Sequence, residues 1–64
     1  MATNIRLRVA RMVKGLTQLQ LAEKVGRKEI DISRIETGRL RPPPEIKEQI
    51  AAVLQQPAYE LFDA

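Results

Sequence analysis

The side chains that ordinarily carry out enzymatic chemistry are missing from this sequence. Its 64 residues include no His and no Cys, so there is no imidazole base, thiolate nucleophile or thiolate zinc site. No glycine-rich loop stands ready to cradle a phosphate, and no clustered carboxylate pair suits acid–base work. Neither an enzyme nor a cofactor or metal is expected. What the chain does hold is a regional excess of cations. Residues 1–44 carry ten Lys/Arg and four acids, a net +6; residues 45–64 carry Lys47 against Glu45, Glu48, Glu60 and Asp63, a net −3. A localised positive surface is what a polyanion partner requires. A solvated face on a basic protein fits the same charge count equally well.

These cations need elements to position them. A chain of this length implies one domain, residues 1–64, with a core thin enough to favour dimerisation. The composition, 44% apolar with three Gly and four Pro, is that of a globular protein. No leader-like segment stands at the start, and no run approaches the ~20 apolar residues of a membrane span. The expectation is a cytoplasmic protein with no membrane partner. Helical spacing dominates, and no alternating strand pattern persists. A first helix is predicted from about Asn4 to Lys14, capped by Asn4 and ended by Gly15. Its apolar residues form two stripes, and periodicity alone buries Ile5, Val9, Met12 and Leu16. A second helix opens on Thr17-Gln18-Leu19-Gln20, the pattern of a capping box, with Leu16 and Leu21 placed as a hydrophobic staple. It buries Leu21, Ala22 and Val25 and stops at Gly26.

A third helix starts near Arg27 or Lys28 and ends at Thr37-Gly38. Ile32 and Ile35 turn inward, which leaves Glu29, Ile30, Ser33 and Arg34 outside. Pro42-Pro43-Pro44 make an extended connector, and the last proline can begin a fourth helix. That helix, about Glu45 to Gln55, carries one apolar stripe of Ile46, Ile50, Val53 and Leu54. A fifth, Ala58 to Phe62, brings Tyr59, Leu61 and Phe62 to close the core. The fold class is all-α, with five short helices.

The second and third helices with their Gly-containing turn make a helix-turn-helix unit. Gly15-Leu16-Thr17-Gln18, Leu21-Ala22-Glu23-Lys24-Val25-Gly26 and Ile32-Ser33-Arg34-Ile35-Glu36-Thr37-Gly38 together resemble the phage repressor/Cro-type (XRE-like) DNA-binding domain, and the resemblance runs on to Leu61-Phe62. It implies a five-helix repressor-like domain that docks its third helix in the major groove of double-stranded DNA. Carried over residue by residue, it places Thr17 and Gln18 near a phosphate. It turns Lys28, Glu29, Ile30, Ser33 and Arg34 toward the DNA, and sets Arg39 and Arg41 on the phosphate backbone. Arg34 is the residue suited to fork onto guanine, Glu29 to accept from cytosine, and Ile30 to pack on a thymine methyl. Arg11 and Glu36 match an internal ion pair of the family rather than a DNA contact. The same resemblance implies that Leu7 and Ala10 are the buried residues of the first helix. The surplus stripe would then be covered by the fifth helix or by another subunit.

The implied protein is a transcriptional regulator, a repressor bound as a homodimer to a palindromic operator, with no small-molecule ligand. Its dimer surface would come from the fourth and fifth helices, including Tyr59, Leu61 and Phe62. One departure tempers this reading. The family often has a small apolar residue at position 27 and Ser or Thr at 28, where this chain has Arg27 and Lys28, and Glu29 and Asp31 follow. Those acids suit a helix N-terminus but repel phosphates. They favour, as the alternative, a protein-interaction module of antirepressor or antitoxin type on the same fold.

Overall fold

In the computed structural model, which describes residues 3–63, five helices follow one another: α1 (Ile5–Val13), α2 (Gln18–Lys24), α3 (Glu29–Glu36), α4 (Pro44–Leu54) and α5 (Ala58–Phe62). Among the described residues there is no strand. No helix is long and apolar enough to cross a membrane. Each boundary has a local cause. Asn4 caps α1 by accepting the Leu7 N–H at 2.9 Å. Its amide also donates to the Leu61 carbonyl at 2.8 Å, tying the start of α1 to α5. Thr17 and Gln20 close both halves of the capping box at 3.0 and 2.9 Å. Between α2 and α3 the chain reverses at Gly26, φ +67°. A Cβ there would meet no atom within 4 Å. Glycine is therefore needed for the left-handed dihedral and not for space. Pro44 begins α4, as its missing N–H permits. α4 ends on Gln55, a non-glycine residue at φ 58°.

Six side chains are essentially sealed from water: Leu7, Leu21, Ile32, Ile50, Leu54 and Leu61. They come from all five helices, so no helix can be removed without opening the core. Leu16 packs at its edge, and Pro42 is buried, anchoring the connector.

The stripe that periodicity selects on α1 faces solvent: Ile5, Val9 and Met12 are more than half exposed, and Leu7, Ala10 and Arg11 take the inside. α5 does not cover that stripe. Tyr59 does not close the core either, at 62% exposure; Leu61 does, with Phe62 half-buried. In a five-residue helix one residue faces squarely inward, and Tyr59 lies two positions, about 200°, from Leu61.

Candidate nucleic-acid interface

The α2–turn–α3 unit is held from behind by one polar cluster. The Arg11 Nε meets Glu36 Oε2 at 2.6 Å, and its second terminal nitrogen reaches Oε1 at 3.2 Å. Its remaining terminal nitrogen donates to the Leu16 carbonyl at 2.7 Å. Both residues are buried. The Glu36 carboxylate also accepts from the Gln18 amide at 3.1 Å, and the Glu36 carbonyl accepts the Asn4 N–H at 2.7 Å. One carboxylate thus ties together α1, the first residue of α2 and the end of α3. Burying such a pair is tolerable only because its hydrogen-bonding capacity is filled. Among the described residues no buried side-chain N or O lacks a partner.

With its inner side fixed by Ile32, Ile35 and Glu36, α3 presents the other side to solvent. Lys28, Glu29 and Arg34 are exposed, Ile30 is 51% exposed, and Ser33 is half-buried. The helix starts without a side-chain cap from Lys28, an ammonium that can only donate. Instead the Asp31 carboxylate reaches back to the Lys28 N–H at 3.4 Å. At the far end the Arg34 carbonyl accepts from Arg39 N–H at 2.8 Å and Leu40 N–H at 3.1 Å. This fold-back brings the backbone at Arg39 against the last turn of α3, and Arg41 follows, exposed. Among the described residues no carboxylate lies within 4.0 Å of the Lys28, Arg34, Arg39 or Arg41 cation; the ion pairs are Arg11–Glu36 and Lys47–Asp63. These four cations are thus not committed to an ion pair among the described residues.

Thr17 and Gln18 stand apart from that row. The Thr17 hydroxyl is used by the Gln20 N–H, and the half-buried Gln18 amide is directed at Glu36. Sequence reasoning did not find the Gln18–Glu36 bond, which joins residues 18 apart. Nothing in the local sequence signals it, because Arg11 already occupies both Glu36 carboxylate oxygens. Sequence reasoning also passed over Arg27, exposed in the turn itself and adding a cation beside Lys28.

Comparison with known proteins gives a consistent picture. The pattern of the helix-turn-helix domain family matches residues 5–61. A similar solved structure is that of the restriction-modification controller protein C.AhdI from Aeromonas hydrophila. It is 30% identical with a TM-score of 0.84, and the match covers 92% of this chain and 86% of that one. No curated protein matches the sequence.

Proposed function

The chain belongs to the helix-turn-helix domain family, of the phage repressor/Cro type, and from that premise we propose that it is a sequence-specific transcription regulator, a repressor that binds a palindromic operator as a homodimer. The family match and the likeness to a controller protein support DNA-binding regulation. The DNA-docking part of this reading is carried by one observation: among the described residues, the cations flanking the outward side of α3 have no acid partner, and that side is unobstructed. In this reading residues 1–64 act as one domain, and α3 enters the major groove, which is ~12 Å wide and admits a helix. Arg34 reads guanine through its two-pronged guanidinium, Glu29 accepts from cytosine N4, and Ile30 meets a thymine methyl. Ser33 serves a base or a phosphate.

Lys28, Arg39 and Arg41 hold phosphates, as do Gln18 through its backbone N–H and Thr17 through its hydroxyl proton at the start of α2. Glu29 and Asp31 lower affinity for arbitrary DNA, which leaves base contacts to decide where the protein stays. In a dimer the two recognition helices sit ~34 Å apart, one DNA turn. The resemblance implies a dimer surface from α4 and α5, where Tyr59 is exposed and Phe62 half-buried. Leu61, expected there from sequence, is 2% exposed and belongs to the core instead. Likeness to a controller protein supports the regulatory reading.

Selection of bound duplexes from a random pool tests the proposal. The expected result is an enriched, inverted-repeat sequence whose half-site centres are about 10 base pairs apart. A pool that shows no enrichment over its input overturns it.

A further inference from the structure

We propose that the exposed face of α1 and the acidic side of α5 form one reciprocal interface between two copies of this chain. This rests on the dimeric reading above and sets its contact at α1 against α5, in place of the α4–α5 surface that the resemblance implies. The face is defined by spacing. Ile5, Val9, Met12 and Val13 stand at i, i+4, i+7 and i+8, and they are 59%, 51%, 62% and 76% exposed. That is the stripe an amphipathic helix ordinarily buries, yet the opposite side of α1 occupies the core. Four large apolar side chains in a row make a patch on the order of a few hundred Å², the size that marks an association surface. The stripe also points away from α3, because the inner side of α1 is the one bonded to Glu36.

Charge selects the occupant. α1 carries no acid: its charges are Arg6, Arg8 and Arg11, with Lys14 at its C-cap, and Arg11 is committed to Glu36. Packing two α1 stripes on each other brings Arg6 and Arg8 of both copies together with no counter-charge, which opposes association. The complementary charge lies on α5, where Glu60 is exposed beside Tyr59, and on Asp63 just beyond it. Asp63 leans on Lys47 at 3.6 Å, whereas no cation lies within 4.0 Å of Glu60 among the described residues.

Within one copy the two helices run antiparallel side by side. Asn4 at the start of α1 bonds to Leu61, and Lys14 at its end bonds to Gln55, just ahead of α5. A two-fold axis beside this pair sets α1 of each copy against α5 of the other. The contact is then made twice and the assembly closes at two copies instead of growing into a fibre. A stable interface needs about 800 Å² from each partner, roughly a fifth of the 4297 Å² surface. Two apolar rows and two tyrosines contribute toward that area.

Sedimentation velocity of the full chain over a concentration series, without DNA, tests the interface. The wild type is expected to sediment as a dimer. Met12→Glu, Arg6→Glu/Arg8→Glu and Glu60→Arg should each raise the dissociation constant by at least about tenfold, while circular dichroism reports unchanged helix content. Mixing the Arg6→Glu/Arg8→Glu protein with the Glu60→Arg protein should restore dimers, because both reciprocal contacts then pair opposite charges. A folding defect is not repaired by mixing. A dimer that survives Met12→Glu and Glu60→Arg, or a mixture that stays monomeric, overturns this interface alone. A monomeric wild type overturns the dimeric reading as well. Selection of duplex DNA judges the DNA-binding reading separately.

Discussion

The two sides of α3 are made from interleaved residues and follow opposite rules. Inward, Ile32 and Ile35 are sealed in the core and Glu36 is 2% exposed against Arg11. Outward, Lys28, Glu29, Ile30 and Arg34 touch solvent, and no charge among them forms an ion pair among the described residues. The inner side contributes stability because its groups are worth more in the fold than in water. The outer side contributes little stability and is free to meet a partner. The difference teaches that, in eight residues, folding and recognition are separable by a rotation about the helix axis. A substitution should therefore register in denaturation or in binding, but rarely in both.

The largest expected effect is on the inner side. Glu36→Gln leaves the Arg11 guanidinium buried without its counter-charge and should cost about 3–5 kcal/mol of stability. Small domains hold only about 5–15 kcal/mol in total, so urea denaturation should show a large drop in midpoint. A loss below about 1 kcal/mol would mean the pair is not what holds α1 to α3, since that is the range of an exposed ion pair. Ile32→Ala comes next, at about 2–5 kcal/mol for a buried aliphatic truncated to a methyl. Both changes should weaken DNA binding only in proportion to the unfolded fraction.

The outer side should behave in reverse. Arg34→Ala is expected to leave the denaturation midpoint within about 0.5 kcal/mol of wild type. It should also lower discrimination for one base position by about 1–3 kcal/mol. Competition binding with single-base operator variants reads this directly, and a uniform loss across all variants would reassign Arg34 to a phosphate. Arg39→Ala and Arg41→Ala should act that second way. Each removed phosphate contact flattens the slope of log affinity against log salt by about 0.9, with no change in base preference. If one of them changes preference instead, the contrast between reading and anchoring has been drawn at the wrong residue.

Local chemistry is legible in the sequence, and long-range pairing is not. The Thr17–Gln20 box and the turns at Gly15 and Gly26 depend on neighbours a few positions away, and each appears where its residues stand. The first helix misled periodicity because a charged residue, Arg11, sits on its buried side with Leu7 and Ala10. A pattern that counts apolar residues assigns that position to solvent and rotates the helix the wrong way. Only the family resemblance, which supplies a partner for Arg11, selected the correct side. Tyr59 misled for a related reason: aromatic character favours burial, but a five-residue helix has room for one central inward position, which Leu61 takes. Gln55 at φ 58° gave no sequence signal, since Gly and Asn are the usual residues there. The exposed row on α3 was legible because its burial pattern follows from Ile32 and Ile35 alone. The Gln18–Glu36 bond depended on tertiary placement.

The smallest prediction concerns the one residue that belongs to both sides. α2 begins on Thr17, whose hydroxyl accepts the Gln20 N–H, whereas α3 begins on Lys28, which has no acceptor to offer. Asp31 satisfies the Lys28 N–H at 3.4 Å, a long bond, and does nothing for the open N–H groups of the first turn. Lys28→Ser would supply the missing acceptor while Asp31 keeps its role, converting half a capping box into a whole one. Such caps contribute about 0.5–2 kcal/mol, so the denaturation midpoint should rise. The same change removes a cation from the DNA-facing side. Affinity should fall, and the salt slope should flatten by about 0.9 if Lys28 meets a phosphate. Thr17→Ala is the matching control: it loses a cap and no charge, and should lower stability by about 1 kcal/mol. A Lys28→Ser protein that is more stable and binds DNA more weakly would show that the start of α3 is left uncapped to keep a positive charge at the groove. One that is more stable and binds equally well would move Lys28 out of the interface and leave Arg34, Arg39 and Arg41 to carry it.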